Sequence, residues 1–266
     1  MDPMDADDAM DAAGTAAAVD ALEMQRGYRL RWLDFDRYGR LRPAAVLDLL
    51  QDMATLQAEV MGIGYEAMQA KGVFWALVRL KYQMTGTPCH HQAVQVRTWP
   101  HTPSRFSFQR DYQILAEDGD ELVKATSEWV LMDIAERRFA KVGDVYEAQG
   151  AFLGDRAFPC KPKKIAWPGQ ENLPVYEVVP QFGCIDQNGH VNNSCYPGFV
   201  MDALDPGPER ILDTLQIDFR HEAVQGMPLQ VHLNDEGERT AAQGVRPDGE
   251  TAFNCLIEWA TDPEAR

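Results

Sequence analysis

Five polar residues that could take part in catalysis lie within eight positions in the second half of the chain: Asp186, Asn188, His190, Asn192 and Asn193. A carboxylate or an imidazole can deprotonate water near neutral pH. Amide and imidazole N–H groups can stabilise the negative charge that develops on a carbonyl oxygen. Together these groups suit the hydrolysis of an activated acyl group such as a thioester.

The same residues also suit a turn between a strand and a helix. Asp and Asn side chains bond to nearby backbone and cap helices, which accounts for Asp186, Asn192 and Asn193 without any catalysis. This explanation is weaker for His190, because the related segment of the first half has Arg40 at that place. Residue types alone therefore leave a catalytic and a structural interpretation open.

Glu222 is a further candidate for catalysis. It ends a predicted strand and is followed by a turn at residues 224–228. A lone Glu at a strand end is more commonly a solvent-exposed carboxylate. Its position alone does not make it catalytic.

Hydrophobic spacing predicts the elements that position these residues. Residues 27–36 alternate as a strand, and residues 43–61 carry apolar residues at steps of three and four, which is typical of a helix with one buried face. Pro43 suits its first turn, and Gly62 and Gly64 end it. Strands are predicted at 73–84, 93–98, 106–116 and 121–133, separated by Gly- and Pro-containing turns. This order indicates an α+β unit.

The order repeats after residues 150–174, a Pro-, Gly- and Lys-rich stretch that we interpret as a linker. A strand at 175–182 and a helix at 192–204 precede strands at 215–222, 229–234, 239–246 and 251–261. Residues 34–41 correspond to 186–191, and 77–82 resemble 215–220, which suggests duplication of one fold. The predicted domains are 25–149 and 175–262.

Composition excludes several classes of protein. Residues 1–24 contain seven acids and no Lys or Arg, which predicts a disordered leader unlike an organelle transit peptide. The remaining residues are also acidic, which disfavours nucleic acid, and no apolar run approaches the ~18 residues of a membrane span. The scattered His and Cys form no ligand cluster, so no metal or cofactor is implied. Five widely spaced cysteines fit a bacterial-type cytoplasm.

Residues 186–196 closely resemble the signature of plant and bacterial acyl-acyl carrier protein (ACP) thioesterases, and the resemblance extends over about residues 25–262. The first-half motifs that are similar to this family are Phe74-Trp75 through Arg79, Thr98-Trp99-Pro100, Arg110-Asp111-Tyr112, Ser127-x-Trp129 and Arg137-Arg138. The resemblance implies a tandem double hotdog, in which each half is a long helix wrapped by an antiparallel β-sheet. It also implies that the acyl chain binds mainly in the first half and that catalysis occurs in the second.

By the same resemblance, Asp186, Asn188 and His190 match the family's catalytic Asp, Asn and His. Glu222 matches the acid of a Tyr-Arg-Arg-Glu-Cys segment, but the Cys of plant members is Ala223 here, so that thiol cannot be required. We predict that Glu222 or Asp186 activates water, with Glu222 favoured, and that Asn188 and His190 stabilise the oxyanion. In a rival mechanism Asp186 attacks directly through an acyl anhydride.

Two further groups are predicted to bind the substrate. An apolar tunnel would be lined by Leu47, Leu50, Met53, Trp75 and Val78, although each of these also suits a plain core. An acidic carrier protein would dock on Arg137, Arg138, Lys141, Lys161, Lys163 and Lys164, although such charges often serve only as a solvated surface.

The predicted function is hydrolysis of fatty acyl-ACP to free fatty acid and holo-ACP, which would terminate fatty acid synthesis. Alternatives are an acyl-coenzyme A thioesterase, a hotdog enoyl-thioester hydratase and a non-catalytic acyl-binding protein. A monomer would suffice if the two halves pair with each other, and a homodimer is the other expectation. Pro197 is compatible with the second helix only if that helix begins at about residue 195.

Overall fold

The computed structural model describes residues 22–147, 152–169 and 173–260. The first half contains β1 (Met24–Arg29), α1 (Pro43–Val60), α2 (Tyr65–Ala70), β2 (Val73–Met84), β3 (Ala93–Pro100), β4 (Ser107–Ala116) and β5 (Glu121–Asp133). The second half contains β6 (Val175–Val178), α3 (Cys195–Leu204), β7 (Leu212–Phe219), β8 (Leu229–Asp235), β9 (Arg239–Val245) and β10 (Thr251–Trp259). Short 3₁₀ turns lie at Trp32–Asp34, Val142–Asp144 and Phe182–Cys184.

All ten of these strands form one antiparallel sheet. Their order is β1-β3-β4-β5-β2-β7-β10-β9-β8-β6. When the strands are counted within their own half, each half runs from its outer edge to the centre in the order first, third, fourth, fifth, second. The two halves join where β2 pairs with β7, with Leu80 opposite Ile217. The symmetry of this order supports duplication. The antiparallel sheet with helices packed on it confirms the predicted α+β class.

The hydrophobic core is shared by the two halves. Helix α1 buries Leu47, Leu50 and Met53, and α3 buries Tyr196 and Phe199. The two helices contact each other, and their apolar faces pack in one cluster with inward-facing sheet residues of both halves. Because the apolar area removed from water is the main favourable contribution to folding, the halves stabilise each other.

Two of the predicted strands end earlier in the structure than the hydrophobic pattern indicates. The strand predicted at 27–36 is β1, Met24–Arg29, and the predicted strand at 175–182 is only Val175–Val178. In both halves a 3₁₀ turn follows, because the chain must leave the sheet edge to reach the helix. Helix α2 was not predicted, since six residues are too few to show a helical period. Helix α3 begins at Cys195, as Pro197 requires.

Residues 1–21 of the predicted leader lie outside the described residues. Its last positions belong to the fold, since Glu23 accepts a 3.1 Å bond from Arg97 and Met24 begins β1. Within the described part of the chain, no helix is long and apolar enough to span a membrane.

The described part of the predicted linker, 152–169, crosses the junction between β2 and β7. Arg79 and Asp218 lie opposite each other there and form an ion pair with an Nε–Oδ1 distance of 2.6 Å. The linker backbone completes this network: Ile165 N–H donates to Asp218 Oδ2 at 2.8 Å, and the carbonyl of Pro162 accepts from Arg79 at 3.1 Å. The Asp218 side chain is only 2% exposed. Arg79 also contacts Glu128, at 3.3 Å. The junction therefore contains a buried, hydrogen-bonded ion pair within a small charged network.

Candidate active site

The segment before α3 folds into a tight turn organised by Asp186. Its carboxylate Oδ1 accepts the N–H groups of Asn188 at 2.8 Å and His190 at 3.2 Å. The Asp186 N–H donates to the carbonyl of His190, and Gly189, with φ +79°, donates to the carbonyl of Asp186. Glycine suits this left-handed position because it has no Cβ. Asn188 and His190 therefore both lie on this one short turn.

The first half contains the same turn with different side chains. Asp36 Oδ1 accepts the N–H groups of Tyr38 and Arg40 at 2.8 and 3.0 Å, and Gly39 has φ +75°. Arg40 binds Asp36 and the carbonyl of Gly207 there, where the second half has His190. The Asp is thus retained where the imidazole is absent. This observation supports a structural role for Asp186, as the turn interpretation predicted.

Glu222 comes close to this turn because β7 ends beside it. Val191 N–H donates to the carbonyl of Ala223 at 2.8 Å, which joins the segment after β7 to the segment before α3. As a result Glu222 Oε2 lies 3.4 Å from His190 Nε2. Both side chains are roughly one-third exposed, at 35% for His190 and 40% for Glu222, so substrate and water can reach them.

Arg137 enters this cluster from the first half. One guanidinium nitrogen donates to Glu222 Oε2 at 2.8 Å. Sequence reasoning placed Arg137 in a docking surface and missed this contact. The two residues are 85 positions apart, and only the packing of the two halves brings them together.

Tyr196 helps to hold the segment that carries Glu222. Its side chain is buried on α3, and its hydroxyl accepts the N–H of Ala223 at 3.3 Å. Burial raises the pKa of Tyr196 to about 12, so the hydroxyl stays protonated at neutral pH. Burial likewise raises the pKa of the Cys195 thiol to about 12. A thiol held in that form is a poor nucleophile, which favours a packing role for Cys195.

The five predicted tunnel residues separate into different environments. Leu47, Leu50 and Met53 are fully buried in the shared core. Trp75 packs on a smaller cluster with Phe108, and its indole N–H donates to the carbonyl of Ile63. Val78 lies at a bulge of β2 opposite β5. Contact with an acyl chain stays a prediction for all five.

The predicted docking residues form two groups. Arg137, Arg138 and Lys141 follow β5, where Arg138 pairs with Glu136. Lys161, Lys163 and Lys164 lie on the linker, where Lys161 pairs with Glu128 and the carbonyl of Lys163 accepts from Gln216. All six are exposed. Among the described residues no group of three or more His, Cys, Asp or Glu is arranged to hold a metal ion.

Solved structures with the same architecture share most of this fold. An acyl-ACP thioesterase from Bacteroides thetaiotaomicron superposes with a TM-score of 0.80 at 19% identity, over 90% of this chain and 98% of that one. The 12:0-ACP thioesterase from Umbellularia californica superposes with a TM-score of 0.77 at 18% identity, over 92% and 99%. The chain is therefore an α+β double hotdog, as predicted, whose second half carries the Asp-Asn-His-Glu cluster.

Sequence models identify the family. The acyl-ACP thioesterase N-terminal domain model matches residues 21–149, and the C-terminal domain model matches residues 170–260. The chain belongs to the acyl-ACP thioesterase family.

Plant relatives agree with this assignment. The chain is 27% identical over 79% of its length to oleoyl-acyl carrier protein thioesterase 1, chloroplastic, of Arabidopsis thaliana, and 24% identical over 80% to a palmitoyl-acyl carrier protein thioesterase of Cuphea hookeriana. It spans 63% and 55% of the lengths of these two proteins.

Proposed function

We propose that this protein hydrolyses fatty acyl-ACP thioesters to free fatty acid and holo-ACP, and so terminates fatty acid synthesis. The observation that carries the proposal is the meeting of His190 and Glu222, 3.4 Å apart, beside the Asp186 turn of the second half. Family membership and plant relatives named for acyl carrier protein substrates support the choice of substrate.

In the proposed mechanism Glu222 is the general base that takes a proton from water. The hydroxide attacks the thioester carbonyl, and the side-chain amide N–H of Asn188 and the imidazole N–H of His190 bind the oxyanion that forms. The thiolate of the carrier's phosphopantetheine then leaves and takes up the proton that Glu222 removed from water, which returns Glu222 to its carboxylate form. The distance of 3.4 Å between His190 and Glu222 is longer than a strong hydrogen bond, so the imidazole is free to turn towards a carbonyl.

Asp186 has a positioning role in this mechanism, because its Oδ1 is occupied by two backbone N–H groups. We expect Asp186→Asn to retain kcat within about tenfold, since an amide oxygen can accept the same bonds. Asp186→Ala should lose more activity, because both N–H groups lose their acceptor. Steady-state kinetics on acyl-ACP measure both effects.

Single-turnover hydrolysis in oxygen-18 water provides an independent check on Asp186. In direct water attack the label enters the fatty acid alone. Label in the Asp186 carboxylate, together with complete inactivity of Asp186→Asn, would assign the nucleophile to Asp186 and contradict the role of Glu222.

The proposed activity is tested by measuring thiol and fatty acid release from ACP and coenzyme A carrying C8 to C18 chains. We expect rapid release from the ACP substrates and a loss of about 100-fold or more in His190→Ala, because an oxyanion donor is removed. His232→Ala, which changes a His on β8, serves as the control. Preference for coenzyme A would favour the acyl-coenzyme A alternative. Release of no thiol would favour a hydratase or an acyl-binding protein.

The partner and the assembly follow from the same proposal. An acidic carrier protein would contact the exposed basic residues of the two groups described above, and salt should weaken its binding. The β2–β7 junction already pairs two hotdogs within one chain, so a monomer suffices for the proposed site, with a homodimer as the alternative. The exposed free Cys89 and Cys160 fit the predicted reducing cytoplasm.

A further inference from the structure

We propose that Arg137 of the first half is a positioning residue for the Glu222 carboxylate in the second half. This inference rests on the proposed function, because it assigns Glu222 the role of base. It makes the single active site dependent on both halves of the chain, although the Asp186 turn and Glu222 all belong to the second.

The backbone that carries Arg137 is fixed by its own hydrogen bonds. Arg137 lies in the turn after β5 with φ +52°, a left-handed conformation that non-glycine residues seldom adopt. Its N–H donates to the carbonyl of Asp133 at 3.0 Å, and Asp133 N–H donates to the carbonyl of Arg138 at 2.9 Å. Ile134 N–H donates to the carbonyl of Gly72 before β2. The guanidinium therefore projects from a hydrogen-bonded turn that is anchored to the residue before β2.

The contacts of Glu222 converge on one carboxylate oxygen. Oε2 receives the Arg137 N–H at 2.8 Å and faces His190 Nε2 at 3.4 Å. The Arg137 bond at Oε2 orients the carboxylate and presents Oε1 as the oxygen that takes the proton from water. A Glu side chain that is 40% exposed would otherwise sample several rotamers. A small misplacement of a catalytic group can cost up to about 100-fold in rate.

The same arginine could instead act only by binding the carrier protein. The two roles differ in the kinetic parameter that they affect. A docking residue increases affinity for the carrier, so its loss raises KM for acyl-ACP and has no effect on an acyl-pantetheine with the same chain. Loss of a residue that orients the base lowers kcat on both substrates.

The experiment compares Arg137→Gln and Arg137→Lys with wild type on acyl-ACP and acyl-pantetheine of one chain length. The matched control is Arg37→Gln. Arg37 is also an exposed arginine of the first half that pairs across the junction, but its partner is Asp205 at the end of α3. Arg37 and Arg137 are 61% and 60% exposed, so the two changes perturb the surface equally.

We expect Arg137→Gln to lower kcat about tenfold on both substrates with KM changed less than twofold, and Arg137→Lys to restore part of the loss because the cation is kept. Arg37→Gln should match wild type. In a Glu222→Gln background the Arg137 change should have little further effect on the residual rate, because the two residues act together.

A rise in KM confined to acyl-ACP would overturn the inference and assign Arg137 to docking. Wild-type rates in Arg137→Gln, or equal losses in Arg137→Gln and Arg37→Gln, would overturn it as well. If the wild type hydrolyses neither substrate, the proposed function fails first, and the role of Arg137 fails with it.

Discussion

Glu222→Gln is expected to lower kcat for acyl-ACP hydrolysis by about 1,000-fold, within the range that a positioned general base contributes. Glutamine has nearly the same shape and keeps an oxygen that can accept the Arg137 bond. It cannot take a proton from water, so the variant separates the chemistry of the carboxylate from its packing. KM should change little, because the carboxylate does not hold the acyl chain. Burst and steady-state kinetics on acyl-ACP measure both parameters.

Glu250→Gln is the control for this variant. Glu250 also faces a histidine, with its Oε2 3.8 Å from His221 Nδ1, and is 61% exposed. The same chemical change there should leave kcat at the wild-type value. If Glu222→Gln stays within tenfold of wild type while Asp186→Asn is inactive, the base is Asp186 and the proposed mechanism is wrong.

Asp218→Ala is expected to lower the free energy of unfolding by about 3–5 kcal/mol, the usual cost of removing one member of a buried ion pair. This loss of stability is expected because the groups that bond Asp218 stay buried after the substitution. Arg79 keeps a charge that is only 14% exposed and is paired with Glu128 alone, at 3.3 Å. The N–H of Ile165 loses its acceptor, and the amide of Gln216 loses one of its two acceptors. Chemical denaturation followed by tryptophan fluorescence measures the change.

Two comparisons show whether this loss comes from the broken ion pair. Asp218→Ala combined with Arg79→Met should recover part of the stability, because the buried guanidinium that has lost its Asp218 partner is removed as well. Glu136→Ala removes an exposed pair with Arg138 and should change the free energy of unfolding by less than about 1 kcal/mol. Equal effects of Asp218→Ala and Glu136→Ala would show that the junction network contributes no more than a surface pair.

The sequence predicts the long elements of the fold well. The bounds of β2 and β5 agree with the predicted strands, and α1 ends one residue before its predicted end. These segments are long, strongly periodic and bounded by Gly or Pro. The short elements were missed or misplaced, since β6 has four residues and α2 has six. Their conformation depends on packing rather than on a local pattern.

The components of the site could be predicted, but their arrangement could not. The Asp186 turn is local, so the sequence shows it directly. The meeting of His190 with Glu222 depends on where β7 ends, and the Arg137 contact depends on how the two halves pack. No local signal marks the burial of Arg110 either, although its side chain is buried and bonds Thr98, and burial lowers its pKa. An arginine on a strand usually indicates an exposed face.

The mirrored strand order has a consequence for how the two halves can evolve. In a symmetric assembly of identical single-hotdog subunits, every substitution is made twice, so a turn with histidine on one subunit has histidine on the other. Joining the copies in one polypeptide removes that constraint. The turn of the first half can then carry Arg40, bound to the carbonyl of Gly207 across the junction, while the second keeps His190. In the proposed mechanism the stoichiometry falls to one catalytic centre per pair of hotdogs, and the other half is free to specialise.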